Sequence, residues 1–124
     1  FTNLKNFNDN ISDWNTSNNT NMKYMFWNSH KFNQSIDNWD TSKVISMMGT
    51  FYGARDFNQP LNNWNVSNVI NMYSMFRNTE NFNQSLNNWN VSNTSTMNFM
   101  FDNAIKFNQD LNSWNINNIS NFKI

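Results

Sequence analysis

Apolar side chains return along this chain at one fixed interval. Trp stands at Trp14, Trp39, Trp64, Trp89 and Trp114, and Phe at Phe7, Phe32, Phe57, Phe82 and Phe107, each series stepping by 25 without insertion or deletion. A constant period of this length marks an array of stacked units, each burying against its neighbour a face that it cannot bury alone. The reference unit is residues 57–81, FNQPLNNWNVSNVINMYSMFRNTEN. Its Leu61 column holds Ile11, Ile36, Leu86 and Leu111, and its Val66 column holds Thr16, Thr41, Val91 and Ile116, all β-branched. With Trp64 and Val66 on one side and Asn63, Asn65 and Ser67 on the other, the period of two predicts a short strand over 63–68.

Met72, Met75 and Phe76 then follow at i, i+3 and i+4, the spacing of one helical face. The column before them (Asn21, Ser46, Asn71, Thr96, Asn121) contains only good N-cap residues, and the column after them (Asn28, Gly53, Asn78, Asn103) only residues that tolerate the left-handed conformation. The expected fold is therefore an α/β repeat solenoid of five 25-residue units, each a short parallel strand plus a short helix, with residues 1–124 forming one repeat domain. At ~4.8 Å per strand the stack measures roughly 20 to 25 Å. Asn8, Asn33, Asn58, Asn83 and Asn108 mark a corner, where stacked Asn side chains can bond to one another and to turn backbone.

Composition narrows the function. Asn makes up about a quarter of the chain, which on its own is compatible with a disordered, prion-like segment; disorder has no reason to hold a 25-residue register. The Asn65-Val66-Ser67 acceptor pattern for N-glycosylation dissolves down the columns, where Asp40 and Asn117 replace its essential residues. Acids and bases balance at eight each and only 13% of residues are charged, so no nucleic acid or other polyanion is expected as a partner. Cys is absent, which excludes disulfides and thiolate chemistry. No apolar run is long enough to span a bilayer, so direct membrane insertion by this segment is not expected.

The spacing of Leu61, Trp64, Val66 and Val69 matches a leucine-rich-repeat core with Trp in place of Leu. Together with MxxMFxNxxxFNQ it resembles the BspA-like leucine-rich-repeat surface proteins, including the domain of unknown function of mycoplasma-type lipoproteins. The resemblance covers the whole chain. It implies a right-handed leucine-rich-repeat-like stack, an extracellular or cell-surface location often on a lipid-anchored protein, and adhesion or host interaction. Two departures should loosen packing: Thr50 stands where Met25, Met75 and Met100 stand, and Asn19-Thr20 where Val69-Ile70 stand. Phe1 enters in the Phe76 column and Ile124 stops in the Ser74 column, so the reading is an excerpt of a longer array with apolar ends open to end-to-end self-association.

Catalytic chemistry finds little support. His30 is the sole histidine and its column continues as Arg55, Glu80 and Ile105; Asp37 and Asp40 lack a second group placed by the repeat to complete an acid/base pair. Neither a nucleophile elbow nor a phosphate-cradling Gly loop nor metal-ligand spacing is present, so no catalytic residue, metal or cofactor is assigned. The Met residues read as core filling. Two surfaces are candidates for binding. One is the strand face, with Asn38, Asn63 and Asn88 in one column and Asp40, Asn65 and Asn90 in the next. The other is aromatic, where Trp27 and Tyr52 are stacked neighbours in a column continuing as Arg77 and Asp102. The expected function is a non-enzymatic cell-surface module presenting an extended binding face to a host or neighbouring-cell protein or glycan. A passive spacer is the first alternative. An ice-binding lattice and a polysaccharide hydrolase are weaker ones, lacking flat Thr arrays and paired carboxylates respectively.

Overall fold

The structure is a computed structural model and describes residues 1–120. The 25-residue period becomes a stack of coils, each laid on the one before, with equivalent residues in contact. The stacking is visible in the aromatic rings. Phe1, Phe26, Phe51, Phe76 and Phe101 form one ladder with neighbouring centroids 5.5 Å apart and nearly parallel planes. Phe7, Phe32, Phe57, Phe82 and Phe107 form a second, spaced 5.7 to 5.9 Å. The two ladders interlock, with Phe51 and Phe57 4.2 Å apart and Phe76 and Phe82 4.4 Å. Phe26, Phe32, Phe51, Phe57, Phe76 and Phe82 are wholly buried. Each contributes about 2 to 3 kcal/mol by burial, with a further ~1 kcal/mol for each well-placed aromatic pair. A third ladder is indole. Trp64 donates its Nε1–H to the Ile36 carbonyl at 2.8 Å, and Trp39, Trp89 and Trp114 repeat the bond to Ile11, Leu61 and Leu86. Each of these four indole nitrogens is thus satisfied by the preceding coil.

The backbone overturns the expected α/β solenoid of strand-plus-helix units. Among the described residues there is no helix, and strand pairing is confined to single parallel bridges, Asn21 with Ser46, Ser46 with Asn71 and Asn71 with Thr96. The leucine-rich-repeat comparison therefore does not extend to the backbone. The reason lies in the column of Tyr24, Gly49, Ser74 and Phe99, whose φ angles are +54° to +58°. A left-handed residue two positions past Met72 stops a right-handed helix at its first turn. Instead, Met75, Arg77 and Thr79 donate to Met72, Ser74 and Phe76 in three consecutive overlapping turns. The alternate amides of Met72, Ser74, Phe76 and Asn78 leave the coil and reach the carbonyls of Thr96, Asn98, Met100 and Asp102 in the next, at 2.8 to 2.9 Å. Met75 and Phe76 are still buried, because consecutive turns return side chains inward at much the same spacing as a helix. With φ positive at the third residue, the Met72–Met75 and Phe76–Thr79 turns carry the type II signature.

The columns expected to cap helices end no helix among the described residues. Asn21 and Asn71 accept through Oδ1 from the N–H groups of Lys23 and Tyr73, both at 2.8 Å, and open a turn. Asn121 lies outside the described residues. Asn28, Gly53, Asn78 and Asn103 do take left-handed φ, +56° to +72°, without a helix to terminate. The 63–68 stretch is likewise not a strand: it lies between a turn closed by Trp64 N–H to Leu61 and one closed by Val69 N–H to Val66. Its side chains nevertheless alternate, Trp64 and Val66 buried, Asn63 and Asn65 exposed.

The Asn corner is present. Asn58 Oδ1 accepts the Asn83 N–H at 2.9 Å and the Gln84 amide at 3.1 Å, and the same pair of bonds joins Asn8 to Asn33 and Gln34, Asn33 to Asn58 and Gln59, and Asn83 to Asn108 and Gln109. Of the expected weak points, Thr50 is fully buried with its hydroxyl directed to the Met22 and Met47 carbonyls, both at 2.9 Å, so a satisfied polar contact replaces the missing thioether. Thr20 replaces an Ile70 that is itself about half exposed, whereas Asn19 replaces the fully buried Val69, so the loss of packing at this pair falls on Asn19.

Candidate functional site

The six amide-face residues all reach the surface: Asn38, Asp40, Asn63, Asn65, Asn88 and Asn90 are exposed. They stand on turns instead of a sheet, and their side chains are not equivalent. Asn65 Oδ1 accepts both the N–H and the hydroxyl of Ser67, at 3.0 and 2.6 Å, and Asn90 does the same with Ser92 at 3.1 and 2.7 Å. Asn15 with Ser17 repeats the hook in the first coil. Fixing the oxygen in this way leaves the Nδ2 donors of a whole row oriented alike toward solvent. Asp40 sits in this row with Ser42 at 2.9 and 2.6 Å. The Ser42 hydroxyl and N–H, aided by the Lys43 charge, hold the Asp40 carboxyl below the usual carboxylate range against a small opposing effect of burial. The row therefore presents amide donors interrupted by one anion.

The companion row is already engaged within the stack. Asn38 donates Nδ2–H to the Ser12 carbonyl at 2.9 Å, and Asn63 donates its backbone N–H and Nδ2–H to the Asp37 carboxylate at 3.1 and 2.7 Å. Asn88 is tied through its N–H to Asn62 Oδ1 at 3.0 Å. These bonds orient the row and reduce what Asn38 and Asn63 can offer a partner.

Trp27 and Tyr52 are both half-buried and do meet, edge to face, with centroids 5.6 Å apart and planes at 61°. Sequence reasoning missed how far the cluster extends. Tyr24 packs on Trp27 at 4.7 Å and donates its hydroxyl to Met48 Sδ. The Arg77 guanidinium lies 5.8 Å from the Tyr52 ring and 5.0 Å from the Phe99 ring, while its Nε meets the Asp102 carboxylate at 2.9 Å. Lys23 sits 5.4 Å from the Tyr24 ring. The Trp27, Tyr52, Arg77 and Asp102 column was legible; the Tyr24 and Phe99 column, interrupted by Gly49 and Ser74, was not, because its common property is backbone conformation and not side-chain type.

The remaining chemistry-bearing residues are dispersed. Burial, then the Arg55 and Lys5 charges, lower the His30 pKa, with Asp56 opposing them. Asp37 is occupied by Asn63. Among the described residues no group of three or more His, Cys, Asp or Glu is placed to hold a metal ion, and no helix is long and apolar enough to cross a membrane.

The family model described as Mycoplasma protein of unknown function, DUF285, matches residues 1–79 and again residues 60–124. The chain belongs to that family. No curated protein and no solved structure matches it.

Proposed function

We propose that this chain is a non-enzymatic binding module of a cell-surface protein, displaying an extended face for adhesion to a host or neighbouring-cell protein or glycan. The observation that carries the reading is the row of Asp40, Asn65 and Asn90: three exposed groups, one per coil, each held in the same orientation by a Ser hook through one side-chain oxygen. A rigid scaffold presenting uniformly oriented polar groups is where recognition is commonly placed. The motif resemblance to BspA-like surface proteins supports the extracellular setting. Nucleic acid is not among the expected partners, given the balanced charge, and neither is direct insertion into a membrane. End-to-end self-association is part of this reading, and light scattering over a concentration series tests it.

The reading is tested by binding the 124-residue chain to extracellular-matrix proteins, glycans and host-cell surfaces beside a variant with Asn63, Asn65, Asn88 and Asn90 changed to Lys. Binding lost by a variant that keeps its fold supports the amide row; binding that survives moves the site elsewhere. A second reading, the passive spacer, is favoured by Asn38 and Asn63, whose amides are spent inside the stack. Failure of the parent chain to bind any probe would select it.

A further inference from the structure

Buried polar groups in this molecule are satisfied almost everywhere. The hydroxyls of Ser29, Thr41, Thr50, Thr79 and Thr94 each donate to a backbone carbonyl. Among the described residues, the buried side-chain atoms without a hydrogen-bond partner fall on Trp27, Ser74, Arg77 and Asn98, all in the stretch of the repeat that forms the aromatic cluster. Arg77 Nε is compensated by the Asp102 carboxylate as an ion pair, without well-directed hydrogen-bond geometry. That leaves an indole N–H donor on Trp27, a hydroxyl on Ser74, which is only 2% exposed, and an amide oxygen acceptor on Asn98. An unpaired buried group costs roughly 1 to 3 kcal/mol, and the three fall in one stretch of the repeat on three different coils, so a partner that satisfies them runs along the stack.

We propose that this ridge, centred on Trp27, Tyr52 and Arg77, binds a neutral glycan. The rings of Tyr24, Trp27, Tyr52 and Phe99 supply apolar surface for the C–H face of a pyranose. Trp27, Ser74 and Asn98 supply one donor, one group that both donates and accepts, and one acceptor, which is the complement of ring hydroxyls. An apolar peptide side chain would cover the rings and leave those three atoms unpaired. Arg77 and Asp102 neutralise each other, so the centre of the ridge favours an uncharged chain over a polyanion, with the Lys23 cation at its Tyr24 edge. As the ridge stands, solvent does not reach the three atoms, so binding requires ridge side chains to move on each of the coils that carry them. The ridge shares no residue with the amide rows, and the two surfaces are tested separately.

The test is a nuclear magnetic resonance titration of the full, isotopically labelled chain with cellohexaose, chitohexaose and mannohexaose. The Trp27 indole N–H resonance is expected to shift saturably with at least one of them. Those of Trp39, Trp64, Trp89 and Trp114, bonded to carbonyls in the core, stay in place. Trp27→Phe keeps a ring and removes the donor; Ser74→Gly removes the hydroxyl at a position whose positive φ suits Gly. Each should weaken binding about tenfold, and Ser74→Gly should do so without lowering the melting temperature. The Asn65→Lys/Asn90→Lys variant should bind the same sugar as tightly as the parent. No Trp27 shift at millimolar oligosaccharide would overturn the proposal, and so would equal affinity of both ridge variants with the parent.

Discussion

Asn58→Ala is the substitution that most directly tests how the coils are held together at their corner. The side chain is half-buried, and its Oδ1 is the sole side-chain acceptor seen for two donors of the next coil, the Asn83 N–H at 2.9 Å and Gln84 Nε2 at 3.1 Å. Its own backbone N–H bond to Asn33 Oδ1, at 3.0 Å, survives the change. Two bonds are lost at about 1 kcal/mol each, and the partial exposure of the corner lets water recover some of that, so the expected cost is about 1.5 to 2 kcal/mol. That corresponds to a fall in melting temperature of about 6 to 8 °C for a chain of this size. Urea unfolding followed by circular dichroism measures it. A lower midpoint with an unchanged slope reports lost stability, whereas a changed slope reports that the coils no longer unfold as one unit. Asn58→Asp keeps an acceptor oxygen and should recover most of the loss. Asn108→Ala supplies the internal control, since Asn108 stands in the same column but serves as acceptor for no such pair among the described residues. Equal losses for Asn58→Ala and Asn108→Ala would refute the argument, because the effect would then belong to the residue type and not to the bond between coils.

Three further outcomes are expected. Phe51→Ala removes a ring that touches Phe26, Phe57, Phe76 and Trp64, and should cost about 3 to 5 kcal/mol in the same unfolding assay. Gly49→Ala would place a methyl carbon 2.6 Å from the Tyr24 ring at a φ of +58°, so it should cost about 1 to 2 kcal/mol, part of which Tyr24→Ala restores in the double variant by making room. His30 has a folded pKa below its ordinary 6.5, so the unfolded chain takes up this proton first as pH falls. The stability associated with His30 is full above that value and declines as pH drops through it toward the lower folded pKa, a limb that His30→Gln should flatten in melts run across the pH range.

The hydrophobic pattern revealed which side chains meet and left the backbone undetermined. Both Phe columns found by the 25-residue period are physical ladders, and Trp39, Trp64, Trp89 and Trp114 repeat one indole bond while Trp14 stands half exposed; the alternation at Trp64 and Val66 separates inside from outside. Burial, however, is indifferent to how the chain delivers the side chain. Met72, Met75 and Phe76 have helical spacing, yet three overlapping turns deliver them, and the decisive left-handed residue is Tyr, Gly, Ser or Phe in successive coils. Two of those types are bulky aromatics with no preference for positive φ, so propensity had nothing to report. The amides of Met72, Ser74, Phe76 and Asn78 find carbonyls only in another coil, a pairing that no local window contains. At the candidate surfaces, exposure of the Asn rows was legible from alternation. The Ser hooks that aim Asn65 and Asn90, and the internal bonds that occupy Asn38 and Asn63, required the folded neighbours.

The hydrogen bonds and ring contacts that join coils link equivalent or near-equivalent columns of adjacent units. A gene for such a chain can therefore gain or lose whole 25-residue units by unequal recombination, and the new junction meets the same Phe, Trp and Asn partners as the old one. An insertion of a single residue has the opposite result, pulling every ladder out of register at one interface. The length of the array can thus change in steps of one coil, and an array lengthened or shortened in this way keeps its architecture while altering how far it reaches.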